Sequence, residues 1–224
     1  MSIGLRASCT CITSGARSWY ESQGSGTRDQ GLGIRGQGKE HLSIADRAKH
    51  IKLILFDVDG VLTDGRVQIH ADGTESKTFG IRDGIAMVWA QRAGLTVGFL
   101  SARLSPTTPH RAAQLGVTLV YHGVQSKLAT YEQILLDRGL QDRDVAYMGD
   151  DVVDLAVLAR AGLAAAPADA VDEVRSRVHW VSTANAGSGA ARELIELVLK
   201  AQNLWEGVVT AYLNEPSVAR TTPS

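Results

Sequence analysis

Short apolar runs alternate with segments of helical periodicity from residue 51 onward. The first run, 51–57, is continuously apolar and ends in an aspartate, a pattern typical of a strand that is buried on both faces. Similar runs predict strands at 96–101, 118–121 and 144–151, and weaker strands at 163–167 and 179–182. Because strands alternate with helical segments, the pattern predicts an α/β fold: a doubly wound (Rossmann-like) parallel sheet with helices on both faces.

Residues with capping preferences mark the ends of the expected helices. Asp83 is the expected N-cap of a helix that ends at Gly94, and Ser126 begins a helix that ends at Gly139. Further helices are predicted at 106–115, between 151 and 162, and around 191–199, where apolar residues recur at i, i+3 and i+4.

One segment interrupts this alternation directly after the first strand. Residues 67–70 and 74–79 flank an Asp-Gly turn, which predicts a β-hairpin. Ligands of doubly wound folds bind beyond the carboxyl ends of the strands. We therefore expect the hairpin to act as a flap over a site.

The two ends of the chain differ in composition from the middle. Between residues 23 and 38, six of the sixteen residues are glycine. Such a segment has too few apolar side chains to offset the conformational entropy that it would lose on folding. Residues 1–50 are therefore expected to be a disordered or mis-annotated leader, since neither a secretory signal nor an amphipathic transit peptide is visible. The folded domain is expected at 51–204, followed by a flexible tail at 205–224.

Composition and charge exclude several classes of protein. The formal net charge is −1, so the chain lacks the basic face of a nucleic-acid-binding protein. No stretch approaches the ~20 apolar residues of a membrane span. Two cysteines, Cys9 and Cys11, cannot build a disulfide framework and suit a reducing compartment. A cytoplasmic protein with neither nucleic acid nor membrane as partner is expected.

Acidic residues follow two of the predicted strands. Asp57 and Asp59 lie two positions apart at the end of the first strand, so both carboxylates face one spot, and Gly60 allows a sharp turn beside them. Asp150 ends the fourth strand, and Asp154 follows one turn later. Clustered carboxylates require a hard cation, and oxygen ligands of this kind suit Mg²⁺.

Two further residues complete a candidate phosphate site. Ser101 ends the second strand and offers a hydroxyl, and Lys127 lies in the first turn of a helix, where the helix dipole also favours an anion. A carboxylate nucleophile, a metal, a hydroxyl and a lysine are the components of phosphoryl transfer through an aspartyl-phosphate.

In this order, the motifs DVDG (57–60), Ser101, Lys127 and GDDVVD (149–154) resemble those of the haloacid dehalogenase superfamily over residues 51–202. The resemblance implies that Asp57 attacks the phosphoryl group, while Asp59 acts as general acid and then as general base. It also implies that Asp57, the Asp59 carbonyl and Asp150 hold Mg²⁺, and that Ser101 and Lys127 neutralise the phosphoryl oxygens.

The gaps from Asp57 to Ser101 and from Ser101 to Lys127 are too short to hold a cap domain. With the hairpin, FGIRDG (79–84) and SAR (101–103), the chain resembles the 3-deoxy-D-manno-octulosonate 8-phosphate phosphatase family. That family is capless and homotetrameric, serves lipopolysaccharide biosynthesis, and acts on a small acidic sugar phosphate. The resemblance implies substrate contacts from Asp59, Gly80, Ile81, Arg82, Asp83, Gly84, Ser101, Arg103, Arg111 and Lys127. Arginines suit the carboxylate end of such a substrate.

Three positions depart from that family's pattern. Val88 replaces a common arginine, the segment 185–193 lacks an arginine between its glycines, and Ala102 replaces the glycine of the SGR or TGR turn. The substrate could therefore be a related nonulosonate 9-phosphate. The same catalytic residues would also serve a phosphomutase or a protein phosphatase. A non-catalytic module that binds sugar phosphates is disfavoured, because such a module has no need of both Asp57 and Asp59.

Overall fold

The computed structural model of the protein describes residues 42–214. Its strands are β1 (Leu53–Phe56), β2 (Gln68–Ile69), β3 (Glu75–Ser76), β4 (Thr96–Ser101), β5 (Leu119–His122), β6 (Val145–Met148), β7 (Leu163–Ala166) and β8 (Trp180–Val181). Its α-helices are α1 (Ile44–Lys49), α2 (Ile81–Arg92), α3 (Thr107–Gln114), α4 (Lys127–Arg138), α5 (Leu155–Leu158), α6 (Asp172–Arg175), α7 (Ala190–Ala201) and α8 (Trp205–Leu213). Within this part of the chain, no helix is both long and apolar enough to cross a membrane.

Six parallel strands form one sheet in the order β5-β4-β1-β6-β7-β8. The chain starts in the middle at β1, proceeds to one edge through β4 and β5, and then returns to the other side of β1 with β6. The strand order therefore reverses between β1 and β6, whose last residues, Phe56 and Met148, lie in register. A crevice at the carboxyl ends of these two strands is the expected ligand site of such a sheet.

The core has two layers because the strands are buried on both faces. Ile54 and Phe56 belong to a cluster with residues of α2 and α7, whereas Leu53 and Leu55 belong to a second cluster with residues of α4 and α5. All four side chains of β1 are fully buried. The period of two thus sends alternate residues to opposite helical layers, and the predicted doubly wound fold is confirmed.

The predicted hairpin is present and short. β2 and β3 pair antiparallel, with Gln68 opposite Ser76 and Ile69 opposite Glu75. In the segment from β1 to α2, all of which the structure describes, it is the only strand pair and no further domain is inserted. Helix α4 begins after Ser126 and ends at Gly139, as the capping pattern predicted, whereas the helix predicted between 151 and 162 is reduced to a 3-10 turn and α5.

The structure corrects the boundary predicted at residue 50. Ser43 caps helix α1, which lies inside the predicted leader, and Ala48 is completely buried in the core. The Gln202 side chain also donates to the carbonyl oxygens of Ala48 and Ile51. Residues 42–50 therefore belong to the domain, while the rest of the predicted leader lies outside the described residues.

The structure also corrects the boundary predicted at residue 204. Helix α8 occupies the first part of the predicted flexible tail. Trp89 of α2 makes edge-on ring contacts with Trp205 and Tyr212 of α8, and its indole N–H donates to the Tyr212 hydroxyl at 3.0 Å. Contact among these rings, of which that of Tyr212 stays partly exposed, stabilises a helix that the sequence pattern did not predict.

Asp83 is not the N-cap of α2, which begins two residues earlier at Ile81. Its carboxylate is buried and accepts hydrogen bonds from the backbone N–H groups of Gly189 and Arg192, at 3.1 Å and 2.9 Å. Asp83 therefore caps the start of α7, a helix more than one hundred residues away in the chain.

Candidate active site

The residues predicted from the four motifs meet at one edge of the sheet. Asp57, Asp59, Ser101, Lys127 and Asp150 line a single open cavity of about 290 Å³, together with Gly65, Ala102, Arg103, Asp151 and Val153. The five predicted residues come from the ends of parallel strands or from the start of a helix that follows one, so the topology places them together.

The close approach of Asp57 and Asp150 depends on the backbone beside them. The Asp57 N–H donates to the carbonyl of Met148 at 3.0 Å, which extends the pairing of β1 with β6 by one residue. Gly60 has a φ of +85°. A Cβ atom at that position would also lie 2.0 Å from an Asp150 carboxylate oxygen. Glycine is therefore required at residue 60 for both conformation and space.

Lys127 is a buried cation shared between two carboxylates. Its Nζ lies 2.8 Å from Asp57 Oδ2 and 2.6 Å from Asp154 Oδ1. Asp154 is itself fully buried and also accepts hydrogen bonds from the Tyr147 hydroxyl and the Asp150 and Asp151 N–H groups. Because these donors occupy both of its oxygens, Asp154 acts here to hold Lys127 and the Asp150 loop in place.

The cluster carries more negative charge than its single lysine balances. Burial raises the pKa of Asp57 to about 7, and the charge of Asp154 adds to that rise while Lys127 opposes it. Burial likewise raises the pKa of Asp150 to about 8, with further contributions from Asp57 and Asp154. Burial alone would lower the pKa of Lys127, but Asp57 and Asp154 outweigh it and raise that pKa.

These carboxylates fit a hard divalent cation. One oxygen from each of Asp57, Asp150 and Asp154 lies within 4.8 Å of the others. The raised pKa values of Asp57 and Asp150 show that their negative charge is poorly compensated by the protein, which a cation would correct. Asp57 and Asp150 face the cavity with oxygen ligands suited to Mg²⁺.

We expect the metal-free protein to lose stability as the pH rises from about 4 to about 8. Asp57 and Asp150 bind protons more tightly in the folded than in the unfolded state, so raising the pH favours unfolding over this window. Added MgCl₂ should raise the Tm, and more so at pH 8 than at pH 5, because the cation competes with protons for the same oxygens. Thermal unfolding with EDTA or MgCl₂ across this range measures both effects. The Tm of an Asp150→Asn variant without metal should depend less steeply on pH than that of the wild-type protein. A wild-type Tm that rises with pH in EDTA would contradict the expectation.

Asp59 has a partner that the sequence reasoning missed. Lys77, the residue after β3, places its Nζ 2.7 Å from Asp59 Oδ1 and 2.9 Å from Oδ2. The only sequence signal was the period of two in the hairpin, which puts Lys77 on the same face as Glu75. That face is the one that contacts the site.

Glu75 ties the hairpin to the loop after β4. Its carboxylate pairs with Arg103 Nη2 at 2.6 Å and accepts a hydrogen bond from the Ser105 hydroxyl. The Ser105 hydrogen bond, with a smaller contribution from Arg103, lowers the pKa of Glu75. Arg103 therefore lines the cavity with its guanidinium held by the hairpin, and its contact with substrate stays a prediction.

The segment 80–84 and Arg111 lie apart from the cavity that contains Asp57. Arg111 donates to the carbonyl of Gly80 at 3.2 Å and lies over the Phe79 ring, and it lines a separate small space with Gly80, Asp83 and Gly84. Ile81 is exposed, and Arg82 borders a surface groove beside Arg192. None of these residues is among those that line the Asp57 cavity, and the substrate contacts expected from them stay a prediction.

Comparison with known proteins identifies relatives of the whole domain. Residues 108–194 match the family model of haloacid dehalogenase-like hydrolases. The 3-deoxy-D-manno-octulosonate 8-phosphate phosphatase of Yersinia pestis is 37% identical over 164 residues, which cover 73% of this chain and 88% of that protein.

Solved structures give the same result. A "probable yrbi family phosphatase" from Pseudomonas syringae is 40% identical with a TM-score of 0.76, and the match covers 77% of this chain and 98% of that one. The 3-deoxy-D-manno-octulosonate 8-phosphate phosphatase of Moraxella catarrhalis, solved with magnesium, phosphate and the sugar, is 32% identical with a TM-score of 0.74. That match covers 75% of this chain and 97% of that one.

Proposed function

Since this chain belongs to the 3-deoxy-D-manno-octulosonate 8-phosphate phosphatase family of haloacid dehalogenase-like hydrolases, we propose that it hydrolyses that sugar phosphate to the free sugar acid and phosphate. It is a phosphoric monoester hydrolase. The observation that carries the assignment is the meeting of Asp57, Asp59, Lys127 and Asp150 around one cavity at the strand ends.

Asp57 is the proposed nucleophile. One of its carboxylate oxygens attacks phosphorus, the bond from phosphorus to the sugar oxygen breaks, and an aspartyl-phosphate forms. Asp59 gives a proton to the departing sugar oxygen and later removes one from the water that attacks phosphorus, so that phosphate leaves and Asp57 is regenerated. Lys127, 2.8 Å from Asp57, favours its ionised form.

The side chains of Asp57 and Asp150 and the main-chain carbonyl of Asp59 are the proposed Mg²⁺ ligands. Bound there, the ion would supply charge neutralisation to the phosphoryl group. Ser101 and Lys127 line the same cavity and would bind the phosphoryl oxygens from the other side.

The carboxylate end of the sugar requires positive charge, and Arg103 is the arginine that lines the cavity. We propose that the assembly is a homotetramer in which a neighbouring subunit covers this edge of the sheet. Exposed hydrophobic side chains on the hairpin and on the loops that follow the strand ends support this proposal: Ile69, Leu104, Val152 and Val153. A cytoplasmic location stays a prediction.

The decisive assay measures phosphate release from a panel of sugar phosphates with MgCl₂ or EDTA present. We expect turnover of 3-deoxy-D-manno-octulosonate 8-phosphate that depends on Mg²⁺, with a nonulosonate 9-phosphate and a phosphopeptide as comparison substrates. A higher kcat/KM for the nonulosonate ester would reassign the substrate. The absence of turnover with every member of the panel would refute the assignment as a phosphatase.

A further inference from the structure

The Asp59 carboxylate is held by one side chain. Lys77 donates a hydrogen bond to Oδ2 and lies 2.7 Å from Oδ1, which makes no hydrogen bond of its own. Among residues 42–214, the Asp59 side chain forms no other hydrogen bond or ion pair. The direction in which this carboxylate points is therefore set by Lys77.

We propose that Lys77 is a positioning residue that aims the Asp59 carboxylate at the oxygen of the departing sugar. The inference rests on the proposed function, in which Asp59 transfers that proton. It assigns to the hairpin a part in the reaction that is distinct from covering the cavity.

Lys77 contacts the Asp59 carboxylate but does not line the cavity in which the substrate would bind. Its side chain is completely buried, whereas that of Asp59 is 22% exposed. The cavity is lined by Asp59 but not by Lys77. A phosphate in the cavity would therefore meet Lys127 and Ser101, and Lys77 would reach the reaction only through the Asp59 carboxylate.

Burial makes this contact stiff. Removing a lysine ammonium from water is costly, so Lys77 must keep donating to Asp59: as an ion pair when the carboxylate is ionised, and as a hydrogen bond to its unprotonated oxygen when Asp59 carries the proton that it transfers. The backbone of Lys77 is fixed as well, since Glu75, two residues earlier, is paired with Arg103 and Ser105. The hairpin thus fixes the position of the Lys77 ammonium, and the ammonium in turn fixes the position of the Asp59 carboxylate.

Proton transfer to a leaving group is sensitive to such placement, because a displacement of about 1 Å can cost about 100-fold in rate. Two substrates with different leaving groups can distinguish a role of Lys77 in proton transfer by Asp59 from a general role in supporting the active site. The sugar alkoxide needs a proton to depart, whereas the phenolate of p-nitrophenyl phosphate departs without one.

The test compares kcat/KM of wild-type protein and Lys77→Met on both esters, because kcat/KM reports on the steps through formation of the aspartyl-phosphate. We expect a loss of about 100-fold with 3-deoxy-D-manno-octulosonate 8-phosphate and of less than about 10-fold with p-nitrophenyl phosphate. Lys52→Met, which removes the exposed partner of Asp144 at the opposite end of β1, is the matched control and should leave both values unchanged.

Equal losses on the two esters would overturn the inference, since they would mean that Lys77 supports the site as a whole. If Lys77→Met does not fold, Lys77→Gln is the substitute: its amide nitrogen lies one bond closer to the backbone and carries no charge, so it cannot hold the Asp59 carboxylate in the same place and must show the same unequal losses. A wild-type protein that is inactive on both esters would instead contradict the proposed function.

Discussion

Replacing Asp57 with asparagine should abolish phosphate release, with kcat lowered by at least about 10⁴-fold, because the amide cannot attack phosphorus. The same change should raise the Tm of the metal-free protein at pH 8. Asp57 is almost fully buried, its pKa is raised to about 7 by that burial and by Asp154, and its ionised form therefore opposes folding at this pH. Loss of activity together with gained stability separates a chemical role from a structural one.

Steady-state phosphate release and thermal unfolding in EDTA check the two parts of this prediction. Asp137→Asn, the same change at an exposed position of α4, is the matched control and should retain wild-type turnover. Mass spectrometry must show that the asparagine at position 57 has not reverted by deamidation. An Asp57→Asn protein that turns over substrate at more than a few per cent of the wild-type rate would refute the assignment of the nucleophile.

Lys127→Met should damage both activity and folding. The variant removes the cation that contacts Asp57 and Asp154, so turnover should fall by about 10³-fold as charge on the phosphoryl group goes unmatched. Without metal at pH 8, the free energy of unfolding should fall by about 3–5 kcal/mol, because two buried carboxylates lose their partner. The loss should shrink near pH 5, where Asp57 is protonated.

Urea unfolding of Lys127→Met and wild-type protein at pH 5 and pH 8, with and without MgCl₂, measures the loss in the free energy of unfolding. Lys200→Met removes an exposed lysine that pairs with Glu196 along α7, so its cost should stay within about 0.5 kcal/mol. A Lys127→Met protein as stable as wild type at pH 8 would contradict the view that this lysine balances the cluster.

Sequence reasoning located the site because the fold is regular where the chemistry lies. The apolar run of β1 ends at Asp57 and that of β6 ends two residues before Asp150, and a parallel sheet brings such ends to one edge. Local rules, the hydrophobic run and the helix cap, were therefore sufficient to place Asp57, Ser101, Lys127 and Asp150.

The residues that were missed or misplaced depend on contacts between distant segments. Asp83 has the local pattern of an N-cap, yet its partners are the backbone N–H groups of Gly189 and Arg192. Lys77 meets Asp59 only because the hairpin folds back against the loop that follows β1. No local pattern indicates such partners, since tertiary packing decides them.

The two helices outside the predicted domain have the same explanation. Helix α1 has six residues and α8 has nine, too short to be stable by intrinsic propensity. Their stability comes from surfaces that other segments provide, such as the ring of Trp89 against Trp205 and Tyr212. Domain boundaries predicted from composition alone therefore leave out α1 at one end of the domain and α8 at the other.

The hairpin divides into a fixed base and a tolerant tip. Glu75 and Lys77 anchor the base, whereas residues 70–74 are exposed and a side chain at Gly73 would meet no atom within 4 Å. Extra residues inserted at the tip would therefore leave the anchored acid in place. Enlargement of this turn is thus an evolutionary route from an open enzyme to one with its own lid, and a practical site for grafting new selectivity.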